Sequence, residues 1–359
     1  MSVNGVPPED TPRRRATIHD VAEAAGVSAS AVSKVLRSAS GVSPQMRARV
    51  TAAIEALHYR PHAGARQMRG RSYTIGVMVT EFASPFQPEI AEGISGALSD
   101  TPYQEIVVRG GLDTDSQRRS LEALFDRQVD GVVVIAPVMS QAWLEDLGRS
   151  IPTVIVARHG APRNFDTVVD DDRLGARLMV DHLVSIGHRD IAHTSQPSGG
   201  LQGQYVLSHT ERQRGYEQAM RDHGLEPNVV VTRYSEEGGY EAARTLLASP
   251  ERPTAIFAGA DIAALGVLRA ADEQGLRVPE DLAIAGYDDI AVAGVSRIGL
   301  TTVNESSRET GRISARLLLE RIGGRVEPLR YLVTPQLIIR STTDPEWSPR
   351  SSGPLARTV

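Results

Sequence analysis

Between Ala29 and Arg37 the chain carries small and cationic side chains at helical spacing: Ala29, Ser30, Ser33, Lys34 and Arg37. On one helix face such a set leaves room for a base edge and supplies charge for a phosphate, the chemistry of nucleic-acid reading. Far downstream, Arg212 offers a five-donor fork suited to vicinal hydroxyls or a carboxylate. Asp170, Asp171 and Asp172 stand in succession. Without a glycine-turned loop and further oxygen donors, that run makes a weak cation site. No G-x-S-x-G, phosphate-binding loop or H-E-x-x-H is present, and His182, His188 and His193 fall on different elements. The expectation is a binding protein, not an enzyme, with no cofactor and no metal.

The elements that must position the first set are short helices. Thr17 is placed to cap one, with Asp20 completing a capping box, and Ile18, Val21, Ala22 and Ala25 share its apolar face. Gly26 suits the left-handed stop, and Ser28 caps the next helix, whose buried stripe is Val32, Val35 and Leu36. An ordinary αα-hairpin has the same local pattern. Ser43-Pro44 opens a third helix, striped by Val50, Ala53, Ile54 and Leu57. His62 to Arg69 is too short for a stable isolated helix.

From Tyr73 onward, compact apolar runs alternate with amphipathic stretches. Ile75–Val79, Ile106–Val108, Val132–Ile135 and Val154–Val156 read as buried parallel strands, with helices near 88–99, 115–128 and 141–149. A second set has strands near Thr167–Val169, Ile191–Thr194, Val229–Thr232, Ala255–Ala258 and Leu282–Ala285, and helices near 172–186, 208–223, 237–248 and 261–274. Two such sets imply two doubly wound subdomains with a ligand cleft at the carboxyl ends of their strands.

Charge is divided unevenly along the 359 residues. Through residue 72 there are eleven Arg and Lys against five Asp and Glu, whereas the remainder holds 28 basic and 39 acidic residues. A basic head on an acidic body concentrates phosphate affinity at one end. Cysteine is absent, which suits a reducing cytoplasm. Residues 1–16 lack an apolar h-region, and no apolar run reaches the roughly 18 residues of a membrane span. The expected location is cytoplasmic, with no membrane partner.

The stretches TIHDVAEAAGVS and VSKVL, the YRP-x-x-x-AR-x-M pattern at Tyr59 to Met68, and several body motifs together resemble the lactose-repressor and galactose-repressor (LacI/GalR) family of transcription regulators. The resemblance spans roughly residues 16–343. It implies a small all-α helix-turn-helix head plus an α/β periplasmic-binding-protein-like body of two doubly wound subdomains. The expected domains are an arm at 1–15 and a tail at 344–359, both disordered, a head at 16–61, a hinge at 62–72 and a body at 73–343. The body would divide into an N-subdomain (73–168 and 300–325) and a C-subdomain (169–299 and 330–343), with crossings near 170, 300 and 330.

The same resemblance implies partners and sites. Ser28, Ala29, Ser30, Ser33 and Lys34 match the reading and anchoring positions, and Arg37 replaces the usual asparagine. Thr17, Ser43, Met46 and Tyr59 match phosphate-side positions, although Met46 lacks a strong donor. In the hinge, Met68 stands where relatives wedge a leucine into the central base step of the minor groove, with His62 and Ala65 beside it. For an effector, the matching residues are Phe86, Gln87, Arg158, Arg212, Tyr234, Asp261 and Asp288, with Asp172 replacing an asparagine and Ala260 another. Asp261 could instead cap its helix, and Phe86 could be core. Ile298 to Ser306 matches a structural crossover. The expected assembly is a homodimer, lacking the leucine-rich tail helix of tetrameric relatives, that binds double-stranded operator DNA and a small effector, a sugar or sugar derivative. An extracytoplasmic sugar-binding transport protein is the competing reading, since it shares the body's fold.

Overall fold

Residues 16–36, 39, 41–59, 71–197 and 206–347 are described by the computed structural model. The chain divides into two compact units, residues 1–72 and 73–359.

The first unit holds α1 (Ile18–Ala25), α2 (Ala29–Leu36) and α3 (Pro44–Ala56). Local chemistry sets each boundary. The Thr17 amide donates to Asp20 at 2.6 Å while the Asp20 amide donates to the Thr17 hydroxyl at 3.4 Å, closing the expected capping box. Gly26, at φ 60°, ends α1 in the left-handed region. Ser28 accepts from the Ala31 amide at 3.2 Å and Ser43 from the Met46 amide at 3.2 Å, capping α2 and α3. Val21, Val32, Val50, Ala53 and Tyr59 close over one small core. Leu57, expected in that stripe, is exposed.

The second unit runs β1 (Thr74–Val79), α4 (Phe86–Leu98), β2 (Gln104–Arg109), α5 (Thr114–Phe125), β3 (Gly131–Ile135), α6 (Gln141–Ser150), β4 (Thr153–Val156), β5 (Arg158–His159) and β6 (Asp166–Asp170). It continues with α7 (Asp172–Ser185), β7 (Ile191–Ser195), β8 (Val206–Leu207), α8 (Ser208–Asp222), β9 (Asn228–Val231), α9 (Glu236–Leu247), β10 (Ala255–Ala258), α10 (Asp261–Glu273) and β11 (Ala283–Ala285). A 3₁₀ turn (Ala291–Gly294) precedes β12 (Thr302–Asn304), α11 (Ser307–Ile322), β13 (Arg330–Val333) and β14 (Gln336–Ile338). Buried aliphatic runs such as Gly131–Ile135 and Ala255–Ala258 have every residue covered, as parallel strands between helix layers require.

A six-stranded parallel sheet has the order β13-β6-β4-β3-β1-β2, and a four-stranded parallel sheet the order β11-β10-β7-β9. Apolar side chains from the helices cover both sheets on both faces. Three sequence expectations differ from the structure. Thr167–Val169, expected among the second set of strands, lies in β6, which pairs with β4 and β13 in the first sheet. Residues 330–333, expected in the C-subdomain, form the edge of that same first sheet, with Tyr331 opposite Val168. The start of the 300–325 segment is displaced in the opposite sense. Thr301 bridges Ala285, and β12 pairs antiparallel with β14 beside the second sheet; only α11 returns, packing on α4. Strand order is a non-local property, and apolar runs of equal strength carry no label for their sheet.

The tail assigned as disordered from 344 includes a turn, in which the Trp347 amide donates to the Asp344 carbonyl at 3.2 Å. The arm at 1–15, the residues from 348 on, and His62, Ala65 and Met68 lie outside the described residues. Among those described, no helix is long and apolar enough to cross a membrane.

Candidate functional site

On the head, the exposed face of α2 carries Ser30 and Lys34, with Ser28 at its start. The Ser28 and Ser30 hydroxyls meet at 2.9 Å, so the cap of α2 is coupled to an exposed side chain of its first turn. Ala29 packs partly against the core and Ser33 is half-buried. Thr17 is half-buried and occupied by its capping box, and Ser43 is exposed. Tyr59 and Met46 differ from the phosphate-side assignment. Tyr59 is buried in the head core and Met46 packs against it, so both serve packing. Arg37 lies outside the described residues.

In the body, the loops after the strands of both sheets converge on Arg212, on the second turn of α8. Its guanidinium donates to Asp172 at 2.9 Å and to the Gly259 carbonyl, and it lies 3.4 Å above the centroid of the Tyr287 ring. Asp172, fully buried at the start of α7, takes His159 on its other oxygen at 2.8 Å. Tyr287 passes over Gly175, where a Cβ would stand 2.3 Å from the phenol oxygen, and donates to Asp170 at 2.5 Å. The D-x-x-x-G spacing of Asp171 to Gly175 is thus a packing requirement as well as a cap.

Four carboxyls crowd this place. Burial pushes Asp170 up to about 9, with Glu305 and Asp172 adding to the shift. Burial also raises Asp288 and Glu305 well above the carboxylate range, with the nearby Arg212 guanidinium opposing both shifts. Burial holds His209 down at about 4, assisted by Arg212, so that imidazole is neutral. Five buried polar atoms around Arg212 lack a partner: Asp170 Oδ1, His209 Nε2, Arg212 Nε, Tyr234 OH and Glu305 Oε1. Orphaned buried polar atoms are costly, and each of these calls for a bonding partner that the protein itself does not supply. His209 and Glu305 were not among the sequence candidates. Glu305 lies in the crossover read as structural, and nothing in the residues around His209 marks its imidazole as turned inward.

Other candidates are already committed. Arg158 donates to the Pro137 and Met139 carbonyls at 3.0 and 2.6 Å, so it props the loop before α6 instead of meeting an effector. Both Asp261 oxygens are engaged, with the Ile290 amide at 2.9 Å and the Thr302 hydroxyl at 2.6 Å, which makes it an internal tie and not a ligand contact. Gln87 bonds Thr80 twice, at 2.7 Å each, and closes the loop after β1. Phe86 packs against a core cluster of each sheet, at their junction. Asp288 sits at φ 113°, a strained backbone that its surroundings hold in place.

Comparison with known proteins decides the family. Residues 17–62 match bacterial regulatory proteins of the lacI family, and residues 180–343 match the periplasmic binding protein-like domain. The chain is 35% identical over 337 residues to the HTH-type transcriptional repressor PurR of Serratia proteamaculans, covering 90% of this chain and 96% of that protein. It belongs to the lacI family. A crystal structure of the lac repressor dimer bound to operator and the anti-inducer ONPF superimposes with a TM-score of 0.79 at 27% identity, over 92% of this chain and 99% of that one. The transcriptional regulator CelR in complex with cellobiose gives a TM-score of 0.67 at 31% identity, over 91% and 100%. This lacI-family chain is accordingly a DNA-binding transcriptional repressor and not an enzyme, and the transport-protein reading falls with the head match.

Proposed function

We propose that two copies of this chain bind a near-palindromic operator through their heads and that a small polyhydroxylated effector, seated around Arg212, changes that affinity. The observation that carries the reading is the set of five unpartnered buried polar atoms at the junction of the two sheets, in a chain with a lacI-family head. Arg212, His209, Tyr234, Asp170 and Glu305 supply donors and acceptors of both kinds, which is what hydroxyl groups use. Similar structures lend support: one is a dimer on operator, and another holds cellobiose.

Mechanistically, the effector is coupled to both sheets at once. Asp170 ends the last strand before the first crossing, whereas Arg212, Tyr234 and Asp288 belong to loops and a helix of the second sheet. A ligand that completes their bonds stabilises one relative placement of the two halves, and by linkage shifts operator affinity. On the head, Ser28, Ala29, Ser30, Ser33 and Lys34 face the major groove, with Thr17 and Ser43 beside the backbone. Arg37 and the hinge residues His62, Ala65 and Met68 complete the DNA contacts, Met68 as the wedge at the central step. Fluorescence anisotropy of operator DNA titrated with full-length protein, with and without a panel of mono- and disaccharides, tests the reading. A sugar that shifts operator affinity at least five-fold supports it, and an affinity indifferent to every sugar contradicts it.

A further inference from the structure

The charge around Arg212 is unbalanced. Asp170, Asp172, Asp288 and Glu305 are all at least nine-tenths buried, and the one buried permanent cation facing them is Arg212, among the described residues. Asp172 is satisfied, by Arg212 and by His159. Asp170 and Glu305 each turn one oxygen to no partner, although Tyr287 holds the other Asp170 oxygen. One oxygen from each of Asp170, Asp172 and Glu305 can be chosen so that all three lie within 4.8 Å of one another. An ammonium with three N–H···O bonds of about 2.8 Å places its acceptors about 4.5 Å apart.

We propose that the effector carries a protonated amine, held by Asp170 and Glu305 beside Asp172, so that its class is an amino sugar and not a neutral one. The inference rests on the reading of this cluster as the effector site. A divalent cation fits less well. A hard cation wants six or more oxygens, the trio offers two unclaimed ones, and the guanidinium of Arg212 stands in the same cluster. The remaining orphans, Arg212 Nε, His209 Nε2 and Tyr234 OH, are left for the hydroxyls of the same molecule. Tyr287 and Asp288 complete the set of titratable groups that face it. An unoccupied cluster keeps protons on its carboxyls, and an ammonium replaces them, as the raised Asp170 and Glu305 imply.

The test is titration calorimetry of the full chain with D-glucosamine, D-galactosamine and D-mannosamine, each against its N-acetylated and its 2-hydroxy counterpart, and with magnesium and calcium chloride alone. The expected result is at least one amine bound ten-fold or more tighter than both neutral counterparts, a preference that Glu305→Gln and Asp170→Asn each cut several-fold. Each substitution puts a neutral amide of the same shape where the free protein holds a protonated carboxyl, and a melting temperature within a few degrees of the parent's shows that both variants fold. Neutral sugars binding as tightly as the amines, with Glu305→Gln without effect, would overturn the amine while leaving the effector site standing. Binding of a divalent ion lost in both variants would overturn it in favour of a metal site. If no sugar of any charge binds or shifts operator affinity, the effector reading itself fails, and the amine with it.

Discussion

Arg212 and Asp172, 40 residues apart in sequence, meet at 2.9 Å with both side chains almost fully buried. The pair joins the start of α7, just after the chain leaves the first sheet, to the helix that packs on the second. Its strength is conditional. Burying two charges costs several kcal/mol each, and the attraction between them offsets that cost only while both are present. Burial works against the Arg212 charge, but Asp172 and the nearby phenols hold its proton more tightly than usual.

Removing one member therefore exposes the cost. Arg212→Met should destabilise the body by about 3–5 kcal/mol, because the buried Asp172 carboxylate loses its guanidinium and keeps only His159 as a partner. The double variant Arg212→Met with Asp172→Asn should recover a large part of that loss. Urea unfolding of the two variants measures the difference, and equal instability would show that packing of the guanidinium on Tyr287, not the ion pair, matters.

Stability should also depend on pH through Asp170. Its folded value, about 9, lies above the unfolded value, so the folded body keeps a proton that the unfolded chain gives up. The contribution is fully present below about pH 4, the unfolded range for Asp. It is lost as pH rises toward about 9. Urea midpoints should fall across that window in the parent and fall less steeply in Asp170→Asn; identical slopes would contradict the assignment.

Gly175 is a single-atom test of how the two sheets are tied. A Cβ there would stand 2.3 Å from the Tyr287 oxygen. Gly175→Ala should displace the phenol from Asp170 and cost about 1–3 kcal/mol, as overpacking does. Operator affinity without effector should survive while the effector response weakens, read by anisotropy on one protein sample. An unchanged response would separate the Tyr287–Asp170 bond from signalling.

Lys34 is the only lysine in the chain and is exposed on α2, on the face proposed to read DNA. If it meets a phosphate, Lys34→Ala weakens binding evenly across sequences and lowers the salt slope by about one. A base contact instead relaxes preference at one operator position by about 1–3 kcal/mol. A variant with unaltered affinity, slope and preference would remove Lys34 from the interface.

The parts of this architecture legible in the sequence are local ones. Thr17, Asp20, Gly26, Ser28 and Ser43 act within four residues of themselves, and each does in the structure what its type and position imply. The β–α alternation was equally readable, because burial on both faces demands continuous aliphatic runs. Sheet membership of residues 167–169 and 330–333 was not, since it depends on pairing across 163 positions, as between Arg330 and Thr167. The site followed the same division. Arg212 stood out by its motif, but Arg158 and Asp261 did too, and only their partners at Pro137, Met139, Ile290 and Thr302 show that they hold the fold together. Glu305 and His209 gained significance only from what surrounds them.

The most direct test of ligand-controlled DNA binding is reciprocity. The affinity of the effector found in the sugar panel should be measured on the free protein and on the protein saturated with operator. Linkage requires the two to differ by the same factor by which the effector changes operator affinity, five-fold or more for a coupling of about 1–3 kcal/mol. Equal effector affinity with and without operator would contradict the account.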